Sequence, residues 1–354
     1  MLAKKGWALL VACTLGTTML GIELAACGSS SKSASSATSP PDASGDAMAW
    51  TFTCRPLAVS DAGAAPASDA DGGSDASACI VDTSAGLHSV SCDGFVYDVN
   101  IPEACVSCVC GLIADVHGLS MNGQMEDNNT NLRALGERYG YIVVQPNANP
   151  APPVSSWTPS TDDPKVFAFI QLAAQTLHAD PKRLHMTGFS EGGYMTYRFL
   201  CDHADFFASV APAAGAGCSF GGDAGMWGSA SIPAREIPVL AVNGTKDALV
   251  NFTNVAIPQR DTVIAGWQMS GGTMIAGDNT FQRLRYTSPS GNVFEFIQHD
   301  YSSVQSLTKG HCFPGSNDLD GGVSGQVFGF ACQPPNSFVW GDEVMKFFLA
   351  HPAP

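Results

Sequence analysis

The run Arg183–Phe189, RLHMTGF, passes through Ser190 directly into Glu191–Ala204, EGGYMTYRFLCDHA, and no other stretch constrains the fold as much. The serine stands between glycines at the spacing Gly188-x-Ser190-x-Gly192, and Gly193 extends the run. A strand that turns at once into a helix leaves no room for side chains at the flanks of the turn. The residue at its apex is pushed out above the sheet edge, where a hydroxyl can reach a ligand. Ser190 is therefore a candidate nucleophile. The alternative is a glycine-rich helix entry that happens to contain a serine.

The surroundings of the junction repeat its pattern. FVYDVN, VCGLIADVHG, YIVVQPN, FFASVAPAAG, IPVLAVNGTKD and NVFEFIQHD read as strands. NTNLRALGERYG, VFAFIQLAAQTLHA, EGGYMTYRFLCDHA and GDEVMKFFLAHP read as helices. Strand–helix alternation of this kind predicts an α/β fold, a mostly parallel central sheet flanked by helices. With 45% hydrophobic and 14% charged residues in 354, the chain has material for a large core. Residues 213–235 are too rich in glycine for a helical lid, so no large cap domain is expected and the site should be open.

A serine hydroxyl is hardly ionised at neutral pH and needs a base, which in turn needs a partner to fix its tautomer. The expected chain order is serine, acid, histidine. His311, in the Gly/Pro loop TKGHCFPG, is the candidate base. His299 ends an apparent strand, His203 lies close behind the serine and His351 sits at the chain end. Asp247 closes VLAVNGTKD, where a carboxylate at a strand end can reach a histidine; Asp261 and Asp278 are the alternatives. An oxyanion would need two backbone donors, the N–H of Glu191 and one near Leu119 in the loop after ADVHG. His117 then orients that loop rather than binding metal. No metal site is expected.

The net charge is -15, which repels phosphate backbones and makes nucleic acid an unsuitable partner. Lys4 and Lys5, an apolar stretch to about Ile22 and the sequence LAAC ending at Cys27 have the form of an export signal. LAAC resembles a bacterial lipobox, which makes Cys27 the expected lipidation site, although Glu23 before it is unusual. The resemblance implies a lipid anchor in the cell envelope, with Gly28 pointing to the outer membrane. Loss of residues 1–26 removes two lysines and one glutamate and takes the charge to -16.

The expected layout is a signal at 1–26, a Ser/Ala/Pro-rich tether at 27–50, a cysteine-bracketed acidic segment at 51–91 and the catalytic domain at 92–354. DADGGSD within the acidic run faintly resembles a calcium loop but lacks the later glutamate; a plain acidic loop between Cys54 and Cys79 is the expectation. Of twelve cysteines, ten remain once Cys13 and Cys27 are set aside, an even number suited to disulfides in an oxidising compartment. Cys201 with Cys218 and Cys312 with Cys332 are plausible local pairs. CVSCVC is expected to form disulfides rather than a zinc site or a redox motif.

VHGLSMNG, GFSEGGYMTYRF, VNGTKD, GHCFPG and FFLAHP together resemble the polyhydroxybutyrate depolymerase and feruloyl esterase group of α/β-hydrolases, over roughly residues 92–352. The resemblance implies ester hydrolysis without a cofactor by Ser190, Asp247 and His311. Two departures bear on the substrate. Cys312-Phe313 replaces the Thr-Trp that often follows the histidine, and DDPKVFAF carries an apparent insertion. Phe313 and Trp157 are the candidate substrate contacts, Trp157 having packing as its alternative. A polyester, a feruloylated or acetylated polysaccharide, or a smaller ester all fit. A serine peptidase and a non-catalytic polymer-binding lipoprotein are the other readings.

Overall fold

The computed structural model describes residues 51–57, 79–316 and 329–354, and within them ten strands form one sheet. They are β1 (Gly86–Cys92), β2 (Phe95–Ile101), β3 (Gly111–Val116), β4 (Tyr141–Asn147), β5 (Leu184–Phe189), β6 (Ser209–Ala213), β7 (Val239–Gly244), β8 (Ser270–Gly277), β9 (Phe281–Thr287) and β10 (Val293–His299). The helices are α1 (Gly123–Thr130), α2 (Leu132–Tyr139), α3 (Pro159–Thr176), α4 (Glu191–Asp202), α5 (Ile257–Gly266) and α6 (Trp340–Ala350). The strand order is β1-β2-β4-β3-β5-β6-β7-β10-β9-β8. From β4 through β10 the pairings are parallel, and the outer strands at both ends pair antiparallel. This is the expected α/β architecture, and it is the α/β-hydrolase fold.

Strands β3, β5, β6 and β7 are buried at every residue, as strands covered on both faces must be. Successive side chains serve opposite layers. Leu112, Ala114 and Val116 of β3 pack with Phe169 and Ile170 of α3 and Met195 and Phe199 of α4. Ile113 packs with Leu132 of α2 and Val344 and Phe348 of α6. Between β6 and β7 the described chain has no helix, so no helical cap covers the strand ends there.

The domain boundary expected at residue 92 is corrected by β1. Cys92 is the last residue of a strand that pairs with β2 along its whole length, so the sheet starts inside segment 51–91. The reason is a two-residue turn: Asp93 and Gly94 hold φ of 48° and 84°, the left-handed pair that closes a tight hairpin. Hairpin β8–β9 was also not foreseen. Nearly all of β8 is exposed, so the strand has no buried face to announce it.

Five disulfides join Cys54–Cys108, Cys79–Cys92, Cys105–Cys110, Cys201–Cys218 and Cys312–Cys332. Both expected local pairs are present. Cys54 and Cys79 each bond elsewhere, so they do not tie the acidic run to itself. All three cysteines of CVSCVC are bridged, which removes the thiolates that zinc would need. Five bridges are the signature of a protein that folds in an oxidising, extracytoplasmic compartment. Among the described residues no helix is long and apolar enough to cross a membrane. Cys27, the signal, the tether 27–50 and the acidic run 58–78 lie outside the described residues.

One buried cluster has a measurable consequence. Glu126 of α1 is fully buried, and neither carboxyl oxygen has a hydrogen-bond partner. Burial, with Asp115 and Asp127 nearby, pushes its pKa well above the usual carboxylate range. Asp115 of β3 is raised to about 7, mainly by burial, although Gln145 Nε2 (2.7 Å) and Thr130 Oγ1 (3.0 Å) donate to it. Raised carboxyl pKa values mean that the folded chain binds more protons than the unfolded one. Stability therefore falls as pH rises from about 4 toward 7, by up to about 1.4 kcal/mol per pH unit for each such group. Glu126→Gln should raise the melting temperature at pH 7 by several degrees and flatten the fall between pH 5 and 7. Thermal melts at pH 5, 6 and 7 check this; an unchanged pH profile would remove Glu126 from the account.

Candidate active site

The site assembles where β3, β5 and β7 end. Ser190 follows β5 and caps α4 with φ 55° and ψ -116°, a backbone state that residues with side chains rarely adopt. Such strain persists only where the surroundings enforce it. Here they do: the Ser190 N–H donates to Ala213 O at the end of β6, and the Tyr194 N–H donates to Ser190 O. The glycines supply clearance. A Cβ on Gly192 would lie 1.8 Å from Val116 O, so only glycine lets α4 start against the end of β3. The same closeness brings the β3 loop to the serine, because a Cβ on Gly118 would lie 3.0 Å from Ser190 Cβ.

Asp247 stands just beyond β7, 3% exposed. Its Oδ1 accepts from the N–H groups of Leu249 and Val250, both at 2.8 Å. These bonds fix the carboxylate, so its Oδ2 is presented to His311 Nδ1 at 2.8 Å. Residues 309–311 reach the end of β7 because Gly244 and Gly310 meet backbone to backbone; a Cβ on Gly244 would lie 2.1 Å from Gly310 O. His311 is fully buried and its ring packs on Phe189, centroids 4.6 Å apart. With Nδ1 engaged by the carboxylate, the basic lone pair is on Nε2, which has no hydrogen-bond partner.

Ser190, Glu191, Leu119 and His311 line one cavity of about 390 Å3, together with Tyr194, Trp227, Leu249, Leu307 and Phe330. The alternatives are employed elsewhere. His299 is buried against Tyr301, with its pKa lowered by burial to about 3. His203 stacks on Phe167, and His351 Nδ1 bonds Phe347 O. Asp261 pairs with Arg260 on the surface, and Asp278 accepts from the Thr280 N–H and hydroxyl.

His117 holds the β3 loop. Its Nδ1 donates to Gly118 O at 2.8 Å while Nε2 accepts from the Ala148 N–H at 3.0 Å. Burial lowers its pKa to about 4, which keeps it neutral and able to accept. The Glu191 carboxylate accepts from the Ser156 hydroxyl and the Trp157 N–H, both at 3.0 Å, and so ties the start of α4 to the loop before α3.

Of the two expected substrate contacts, Trp157 takes its packing alternative and Phe313 is corrected. Trp157 is 1% exposed; its Nε1–H donates to His117 O at 2.9 Å and its ring stacks on Phe95. It packs there and also lines a larger cavity bounded by α3 and α4. Phe313 is also 1% exposed, with its ring 4.1 Å from that of Phe189. Residue 313 pairs through its backbone with Phe330, and Phe330 lines the cavity instead. Both rings are buried, at 1% and 6% exposure, so position in the pairing and not residue type decides which one meets the cavity, and nothing local in the sequence announced it. Tyr194 was within reach of sequence reasoning, one helical turn after Ser190. Trp227, Leu249, Leu307 and Phe330 come from three separate connections and carried no signal.

Cys312 follows His311 directly, and its bond to Cys332 spans 20 residues of sequence. A crosslink of that span contributes about 3 kcal/mol by restricting the unfolded chain. Cys312→Ala with Cys332→Ala should lower the melting temperature. It should also lower kcat, toward the ~10^2-fold that a 1 Å misplacement of a reacting group costs. Parallel melts and turnover assays read both; full kcat in a destabilised protein would show that the bridge does not position His311.

Comparison with known proteins bears on the fold and the class of reaction. Residues 162–219, which include α4 and Ser190, match the family model described as the Prolyl oligopeptidase family. A bifunctional acetylxylan esterase/xylanase of Neocallimastix patriciarum is 29% identical over 146 residues, 41% of this chain and 20% of that protein. NocK of Nocardia uniformis subsp. tsuyamanensis, whose name proposes an esterase, is 27% identical over 158 residues, 43% of this chain and 44% of that one. The chain thus spans less than half the length of either relative. Among solved structures, the acetyl xylan esterase from Aspergillus awamori superposes with a TM-score of 0.50 at 13% identity, covering 60% of this chain and 92% of that one, a likeness of fold.

Proposed function

Since the chain is an esterase-like α/β-hydrolase, we propose that it hydrolyses carboxylic esters through an acyl-enzyme, with Ser190 as nucleophile, His311 as base and Asp247 as the orienting acid. The observation that carries the reading is the buried Asp247–His311 pair, its Nε2 without a partner, on a histidine that lines the same cavity as Ser190. Ser190 attacks the ester carbonyl as His311 takes its proton. The oxyanion is stabilised by the backbone N–H groups of Glu191 and Leu119. His311 then protonates the leaving alcohol, and water, deprotonated by His311, releases the acid. No cofactor takes part.

The substrate belongs to a polymer, an acylated polysaccharide or a polyester. Acylated polysaccharide has support in the acetylxylan esterase relative, which shares 29% identity over its aligned region. The protein is exported and held to the envelope by lipid on Cys27, with residues 27–50 as tether; nucleic acid is not a partner. A short-chain chromogenic ester tests the activity. Turnover by the disulfide-bonded protein that disappears in Ser190→Ala supports the assignment, whereas turnover retained in the variant would overturn it. Release of the radiolabelled, palmitate-fed protein from membranes only by detergent tests the anchor; no label on Cys27 would refute it.

A further inference from the structure

A second cavity, about 960 Å3, lies beside the one that holds Ser190. Its walls are residues 156–158, α3, the far end of α4 and residues 226–229, with Trp157 among them. Trp227, 38% exposed, lines both cavities. Ser156 of the larger cavity donates to Glu191 of the smaller one, so the two share a hydrogen-bonded wall. The larger space exceeds what a single acyl group needs, and it adjoins the candidate nucleophile.

Its surface is specific in character. Phe167 and His203 stack 3.5 Å apart as a flat pair, and burial lowers the His203 pKa, so the imidazole is neutral at pH 7. Arg198 is cancelled by Asp163, with Nη2 at 2.8 Å from Oδ1, and its Nη1 donates to Trp227 O at 3.1 Å, which fixes the wall between the cavities. The groups left to meet a ligand are mostly acceptors or neutral. Asp202 is exposed and accepts from Ser229 Oγ through one oxygen, leaving the other to accept, and Gln171 is exposed on α3. Flat rings interleaved with carboxylate and amide acceptors suit a ligand that carries many hydroxyl donors on apolar ring faces. A polyester has only acceptors and nothing to offer Asp202. An anionic glycan would be repelled by it and by the net charge of -15.

We propose that this second cavity is a subsite for a neutral polysaccharide chain, which holds the sugars next to the esterified one while the ester sits at Ser190. The proposal deepens the esterase reading and rests on it for the link to turnover, but its binding test does not. Sugar chain held there should lower KM for longer substrates without changing kcat for small esters.

Ala168 is exposed on α3 and lines only the larger cavity, so Ala168→Trp fills the subsite and leaves the catalytic residues untouched. The probes are acetylated xylo-oligosaccharides of two to six sugars, hydroxybutyrate oligomers of matching length, and p-nitrophenyl acetate. In the wild type, KM should fall about tenfold from the shortest to the longest glycan. Ala168→Trp should abolish that dependence and keep p-nitrophenyl acetate turnover within about twofold. A flat wild-type profile, or a length dependence that survives the substitution, overturns the proposal. So does length dependence with the hydroxybutyrate oligomers alone. If no ester is cleaved, the esterase reading has failed separately. Calorimetric binding of unesterified xylohexaose to wild type and Ala168→Trp then decides the subsite: binding lost on substitution supports it, and no wild-type binding refutes it.

Discussion

Ser190→Ala should lower kcat on a short-chain ester by about 10^4- to 10^6-fold with KM nearly unchanged. The substitution removes one oxygen and nothing structural. The bonds that hold the turn are from the backbone of residue 190, its N–H to Ala213 O and its carbonyl to the Tyr194 N–H, and alanine keeps both. The melting temperature should therefore stay close to that of the wild type. What is lost is the covalent route. A residual rate of about 10^3 to 10^4 over water would remain if the Glu191 and Leu119 N–H groups stabilise the oxyanion as proposed. Steady-state turnover and the missing acyl-enzyme burst read this directly. A variant within tenfold of the wild type would mean that another group attacks.

Asp247→Asn should cost about 10^4-fold in kcat, for a reason visible in the hydrogen bonds. Asp247 Oδ1 accepts from the Leu249 and Val250 N–H groups. An asparagine must keep its oxygen there, since turning it would face two N–H donors with an NH2 group. Its amide NH2 then points at His311 Nδ1, which can only accept. The imidazole proton moves to Nε2, and the nitrogen next to the cavity is no longer a base. The fold should survive this change, whereas Asp247→Ala would also strand the buried Val250 N–H, at roughly 1–3 kcal/mol, and the half-buried Leu249 N–H. Comparing kcat and melting temperature for the two variants separates catalysis from packing. Near-normal kcat in Asp247→Asn would remove Asp247 from the proposed mechanism.

The length dependence proposed for the second cavity has no counterpart in the sequence. It depends on where Trp227 and Arg198 stand relative to α3, and no sequence pattern carries that information. The same contrast separates Trp157 from Phe330. Trp157 sits in a polar loop, SSWTPS, and reads equally as a substrate platform or as packing. The structure buries it because its indole N–H finds His117 O and its ring finds Phe95. Phe330 lies beyond the expected histidine motif and had no role in the sequence. Its backbone pairing with Phe313 carries it into the cavity.

The central architecture was legible because its causes are local. A short, mostly apolar run bounded by turn residues suits a covered strand, and the Gly188-x-Ser190-x-Gly192 turn states its own geometry through the atoms it lacks. The chain order of Ser190, Asp247 and His311 and the pairs Cys201–Cys218 and Cys312–Cys332 were within reach for the same reason: each lies at the edge of a recognisable element. Hairpin β8–β9 was not, since a strand pair with almost no buried side chain has no alternation to reveal it. The bond between Cys54 and Cys108 was not either, because 54 residues separate its ends and sequence spacing says nothing about which distant thiols meet. The sheet core, the serine turn and the residue types needed around it follow from backbone sterics and burial period, both local to the chain. The tertiary structure alone decided which oxygen of Asp247 faces His311, which aromatic rings are walls and which are core, and that a second cavity opens beside the first. Those depend on the docking of segments far apart in the chain, where contact geometry and not local propensity sets the outcome.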